Sequence, residues 1–243
     1  MSDAPADEPV KLPPALAILW GRRTTGSRGP RAELDVDRIV DAAVEIARAE
    51  GLEAVSMARV AAAVGFTTMS LYRHVANKDE LVVFMLSEAP APPPAPADGV
   101  NWRDALSDWA SGLWDVYHRH PWVLQAASSG PPADPGQLAW LDAGLATLAG
   151  TPLSERDKIA AVMAVLHFVR GAAALSVETG AFDNSGYSDL LHRLVDPVRF
   201  PALMTAVDAG VFDGSDDDPL AEFRSGVAQL LDGIATRIRP SRR

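Results

Sequence analysis

Residues 56–81, SMARVAAAVGFTTMSLYRHVANKDEL, constrain this chain more than any other stretch. They read as two short helices across a tight turn, with a third helix capped directly behind them. Ser56 places a hydroxyl just before a helix, where its oxygen accepts from an unpaired backbone N–H. Val60, Ala61 and Val64 follow at i, i+1 and i+4, a narrow apolar stripe. Ala61, Ala62 and Ala63 favour helix and let another helix approach. Gly65 ends it, because glycine enters the left-handed region without a steric penalty. Phe66 is expected to plug the space under the turn. Thr67 caps the next helix, Thr68 to about Val75. Leu71 and Val75 face inward, leaving Thr68, Met69, Ser70, Arg73 and His74 near the outside. Asn77 caps again, with Glu80 three residues on, a variant of the capping box. This arrangement is how a protein sets a helix into the major groove of DNA.

The net charge of −10 argues against a polyanionic partner if it is read globally. Locally the balance reverses. Arg22, Arg23, Arg28 and Arg31 are four cations within residues 22–31, uninterrupted by acid. Arg59, Arg73 and Lys78 add charge around the helix-turn-helix, while carboxylates gather elsewhere, as at Asp213 and Asp216 to Asp218. Exposed charges more than about 10 Å apart are largely screened at ordinary salt, so the face presented matters more than the total.

The 243 residues are enough for one large or two small domains, and 48% are apolar, enough to build a core. The absence of cysteine excludes disulfides, thiolate zinc sites and cysteine nucleophiles. It fits a reducing cytoplasm. No apolar run is expected to approach the roughly 20 residues that a membrane helix needs, so no membrane partner is expected. The N-terminus MSDAPADEPVKLPP is acidic and Pro-rich, the wrong chemistry for a secretory signal.

The order of elements predicts an all-α fold in two parts. Residues 1–32 read as a mostly extended, flexible arm, interrupted by an apolar island from Leu16 to Trp20 that is suited to dock on the body. Residues 33–89 form a DNA-binding domain around the helix-turn-helix. Its first helix runs from about Val36 to Ala49, capped by Asp35 and ended by Gly51. Residues 90–99 hold the run PAPPPAP, which cannot continue a helix and is expected to be an extended polyproline linker. Residues 100–243 form a larger helical domain. Helices are expected from Asn101 to near His118, from Pro121 briefly, from Asp134-Pro135, from Ser154 to about Thr179, from Asp189 to Val195, and from Asp218-Pro219. No segment alternates at period two, so no sheet is expected.

Residues 34–86 resemble the DNA-binding domain of the TetR (tetracycline repressor) family of one-component transcriptional regulators. The run from Ile39, IVDAAVEIARAEGLEAVSM, carries the likeness together with VAAAVGF, LYRHV and NKDEL. Residues from about 100 to 239 resemble, more loosely, the ligand-binding and dimerisation domain of the branch around the tetracycline repressor itself, through the LW…YxxHPW pattern from Leu113 to Trp122. The resemblance implies a homodimer on a palindromic double-stranded DNA operator, released by a small molecule bound in the C-terminal domain. It implies that Thr68, Met69 and Ser70 begin the base-reading helix. Tyr72 and His74 match groove-edge positions and Lys78 a phosphate contact. Ser56, Thr67 and Arg73 belong to the same surface, and Arg28 and Arg31 resemble the basic arm of some members. The N-terminal extension and PAPPPAP depart from the tetracycline repressor.

For the second domain, a mostly apolar effector is expected among Trp109, Leu113, Trp122, Trp140, Met163, His167 and Arg170. Most of the tryptophans also serve as core, and a lone His in an apolar helix often serves structure alone. His118 and His120 look like a metal pair, but their spacing diverges on a helix. No metal and no cofactor are expected. Gly171 to Ala174 and the apolar stripe of the last helix suit close packing, either between subunits or within one. No GxSxG elbow, phosphate loop or HExxH pattern is present, so the chain is not read as an enzyme. Besides a repressor, a TetR-type activator or a helical binding protein with a DNA-silent helix-turn-helix remains open. A regulator of this kind works in the cytoplasm, on the nucleoid when DNA-bound.

Overall fold

The computed structural model describes residues 12–22, 34–95, 99–127, 132–179, 186–213 and 219–239. Among these residues there are twelve α-helices, one 3-10 turn and no strand, so the fold is all-α.

The N-terminal domain is built by caps. α2 (Val36–Glu50) starts where the Asp35 carboxylate accepts the Arg38 N–H at 2.8 Å. It buries Ile39, Val40, Ala43 and Ala47, one stripe at helical spacing. After Gly51 and a 3-10 turn at Leu52–Ala54, Ser56 caps α3 (Met57–Val64). Gly65 takes the left-handed conformation at φ 78°, and its N–H and that of Phe66 return to the Ala62 and Ala61 carbonyls. Phe66 does not plug the turn. It is 37% exposed, with the Arg38 guanidinium 5.6 Å from its ring centroid. Leu71 and Val75 fill the core beneath instead.

Thr67 caps α4 (Thr68–Leu71), which is shorter than the expected Thr68 to Val75. The chain continues to His74 in tighter turns, with the His74 and Val75 N–H groups both donating to the Leu71 carbonyl. The tightening has a local cause. Asn77 must be extended to cap α5 (Lys78–Glu88), which leaves only a residue or two to leave the helix. Asn77 Oδ1 accepts the Glu80 N–H at 2.8 Å, while the buried Glu80 carboxylate accepts the Ala76 N–H.

Two expectations about connectors need correction. The island Leu16–Trp20 does dock on the body, and it does so as a helix, α1 (Pro14–Arg22), within what was expected to be a mostly extended arm. Pro14 stands at its first position, where a missing N–H costs nothing. Ala15 and Leu19, four apart, are buried where α1 packs on α5, and Trp20 Nε1 donates to the Ala133 carbonyl at 3.1 Å. Nor do the described residues of the Pro-rich run stand off as a spacer. The Ala91 carbonyl accepts from Trp140 Nε1 at 3.0 Å, and the Pro94 ring lies over Gly112. The prolines of this run have no N–H to donate, but its carbonyls and rings still find partners on a helical surface.

The second domain layers α6 (Trp102–Arg119), α8 (Pro135–Thr147), α9 (Glu155–Thr179) and α12 (Pro219–Ile238) against one another, with α7 (Trp122–Ala126) tucked against α5 and α6. Asn101 and Asp134 cap α6 and α8 as their sequence suggests. α10 (Tyr187–Leu194) and α11 (Pro201–Asp208) pack on each other. The stripe of α12 is consumed inside the subunit, where Phe223, Val227, Leu231 and Ile234 are buried and Phe223 stacks on Trp114. Finally, α9 is long and apolar enough, by length and composition alone, to cross a membrane. The expectation from uninterrupted runs missed it because Lys158, His167 and Arg170 punctuate a helix whose average stays apolar.

Candidate nucleic-acid interface and ligand cavity

On the outer side of α4, Met69 is 75% and Tyr72 47% exposed. Arg73 is exposed beside them, and Thr68, Ser70 and His74 are half-buried. The hydroxyls at the helix starts are partly committed. Ser56 Oγ accepts the Arg59 N–H, and Thr67 Oγ1 accepts the Ser70 N–H at 3.2 Å and lies 3.0 Å from Ser70 Oγ. A hydroxyl that accepts in a cap still has a proton to donate. Lys78 Nζ reaches the Leu52 carbonyl at 3.4 Å, which ties the start of α5 to the turn after α2. Arg59 is paired with Glu50, whose carboxyl that guanidinium holds below its usual range, so Arg59 adds little free charge. Arg28 and Arg31 lie outside the described residues.

The second site is a cavity of about 330 Å³ enclosed by α5, α6, α7, α8 and α9. It brings together Trp109, Leu113, Trp140, Met163, His167 and Arg170, which the sequence had suggested as a set. Trp122 is not among its lining. That indole is buried, edge-on to the His120 ring at 6.2 Å, next to the Pro121 start of α7. His167 belongs to the rim, since much of its ring is exposed.

The walls are rigid for stated reasons. Trp109 Nε1 donates to the Trp140 carbonyl at 2.8 Å and Trp140 Nε1 to Ala91, so both indoles present faces and no spare donor. Their ring centroids are 6.5 Å apart at a tilt of 53°. Gly144 makes room for Trp109, since a Cβ there would meet its ring at 2.9 Å. Arg170 crosses from α9 to the end of α7, donating to the Leu124 carbonyl at 2.8 Å and the Ala127 carbonyl at 3.4 Å. Tyr117 lies on α6 one turn beyond Leu113, and burial pushes its phenol up from the ordinary value against the opposing charge of Arg170.

Sequence reasoning missed Tyr117, although its i+4 spacing from Leu113 marks the same face. It also missed Leu86 and Pro90, whose place in the wall follows only from the docking of α5 on the second domain. Of the two histidines once paired, His118 bonds Ser176 at 3.1 Å and His120 is buried. No group of three metal-ligating side chains occurs among the described residues.

Residues 39–83 match the bacterial regulatory proteins of the tetR family, and residues 94–238 match the tetracyclin repressor-like C-terminal domain. The chain belongs to the TetR family. As a member it is a DNA-binding transcriptional regulator, with α3 and α4 as its helix-turn-helix. This TetR-family chain is 36% identical over 231 residues to the HTH-type transcriptional repressor DrrR1 of Streptomyces coeruleorubidus, covering 90% of this chain and 84% of that one. It is 31% identical over 224 residues to an HTH-type transcriptional regulator of Saccharopolyspora erythraea, covering 91% and 92%. Among solved structures, ActR of Streptomyces coelicolor in complex with actinorhodin superposes with a TM-score of 0.75 at 23% identity. That match covers 86% of this chain and 99% of ActR, a likeness of fold.

Proposed function

We propose that this regulator is a homodimeric repressor, held on a palindromic operator in the cytoplasm and released when an aromatic small molecule fills the cavity. One observation carries the reading. Leu86, from the helix that follows the recognition element, is itself part of the cavity wall. A ligand there touches the DNA-binding domain directly, and so it has a differential contact to bias one arrangement over another. The repressor DrrR1 and the actinorhodin complex of ActR support the two halves of this reading.

On DNA, Thr68, Met69 and Ser70 read base edges, hydroxyls being tolerant donors and acceptors and Met69 supplying apolar contact. Tyr72, Arg73, His74 and Lys78 hold phosphates, with Ser56 and Thr67 donating their remaining protons. Arg28 and Arg31 reach the backbone or the minor groove. The dimer face lies along α9, where Ala160, Ala164, His167, Gly171 and Leu175 are all exposed at helical spacing. Small residues on such a seam let two helices close on each other. A gel-shift titration on the DNA upstream of its own gene tests the whole. A saturable complex that polycyclic aromatic ligands dissolve is expected. Absence of any specific complex at moderate salt would overturn it, and a complex that ligand leaves intact while transcription rises would make the protein an activator.

A further inference from the structure

The cavity is lopsided in its chemistry. Its described lining contains one permanent cation, Arg170, and no carboxylate, in a chain of net charge −10. A charge facing an apolar space is costly unless it is matched. Here the match is neutral: the Leu124 and Ala127 carbonyls, at the C-terminal end of α7, where the helix dipole favours a cation. A guanidinium has more N–H groups than two carbonyls use. Near it stands the Tyr117 phenol, whose ordinary value of 10.0 burial only raises, so its O–H can donate at neutral pH. Both cavity indoles have already spent their N–H groups, so the aromatic wall offers only faces and edges. Apart from the Gln137 amide and His167 at the rim, the unspent polar capacity of the described lining lies at the Arg170 end and is for donating to an acceptor, and the wall of the two indoles is for flat apolar surface.

We infer that the cavity takes a flat aromatic acid, with a carboxylate or phenolate oxygen on Arg170 and its rings against Trp109, Trp140, Leu113 and Met163. The inference rests on the reading of this cavity as the effector site. A volume of about 330 Å³ lies toward the small end of the roughly 300–1,000 Å³ range of small-molecule sites, which suits a few fused rings. The anchor also supplies regulation. An anion on the unused N–H groups draws the guanidinium, and with it the tie between α9 and the last turn of α7, toward the ligand. Since α7 packs on α5, that pull reaches the DNA-binding domain.

The test uses the full chain, its tryptophan fluorescence, and two probes of equal shape: anthraquinone-2-carboxylate and the neutral anthraquinone-2-carboxamide. The carboxylate is expected to bind about tenfold tighter or more, the scale of a charge-assisted bond. Arg170→Gln should erase the preference and Arg170→Lys should retain part of it, with circular dichroism showing both variants folded. Equal binding of the two probes to the parent overturns the inference, as does a preference that survives in Arg170→Gln, or binding of neither probe. Operator release is scored separately by gel shift. A carboxylate that binds through Arg170 but leaves the operator complex intact sustains the ligand class and refutes the effector reading.

Discussion

Lys78 stands where two demands meet. A cation at a helix start is opposed by the dipole, yet its ammonium bonds the Leu52 carbonyl. If it also holds a phosphate, Lys78→Ala weakens binding to all DNA similarly and lowers the salt slope by about one, measured by titration at several salt concentrations. An unchanged slope would leave it a structural tie alone. His120 makes a different prediction. Burial lowers its pKa from 6.5, with the nearby Arg119 and Arg48 acting in the same direction and Glu45 against them. Its Nδ1 finds no partner among the described residues. The unfolded chain therefore binds this proton more readily than the folded one. Its stability contribution is complete above 6.5 and declines as pH falls through that value. Melting temperatures from about pH 7.5 down to about 5.5 should fall, and His120→Leu should flatten that limb. Residue identity told which side chains were chemically suited to the cavity, but not their direction. Trp122 and Tyr117 illustrate this. Both are aromatic and five apart, and which of them faces the ligand space depends on the break between α6 and α7 at His120-Pro121.

At the scale of elements, α5 and α8 meet backbone to backbone at Ser87 and Gly136. A Cβ on Gly136 would overlap the Ser87 carbonyl, and the Gly136 N–H donates to Ser87 Oγ at 3.3 Å. Backbone cannot yield as a flexible side chain does. Gly136→Ala should therefore cost about 1–3 kcal/mol in thermal or denaturant unfolding. It should also wedge the two domains apart, altering operator affinity even without ligand. Elements with strong local punctuation were legible in the sequence: Asp35, Ser56, Thr67, Asn77, Asn101 and Asp134 all cap the helices they announce. Elements defined by tertiary contact were not. α11 passed unnoticed although Pro201 stands at its first position, because its apolar residues are mostly exposed and form no clear inward stripe. α1 passed as an island because a nine-residue helix is marginal alone and gains its stability by docking on α5.

For the whole molecule, the proposed dimer needs a face that the subunit does not use itself. α12 turns its large apolar side chains inward, whereas α9 leaves Ala160, Ala164, Gly171 and the larger His167 and Leu175 outside. Ala164→Glu would set two carboxylates against each other across the seam. Light scattering after size exclusion should then report a monomer at micromolar concentration, with specific operator binding lost because one head alone cannot span two half-sites. A dimer that persists would move the interface elsewhere, toward the exposed Leu194, Val198 and Val211 around α10 and α11. The position of Leu86 in the cavity wall has a last implication, for how related effectors should rank. A compound that grips Arg170 and the indoles tightly but is too slender to press on Leu86 binds both arrangements alike, and however strongly it binds it moves no population. Potency in derepression should therefore track a compound's girth at that end rather than its dissociation constant.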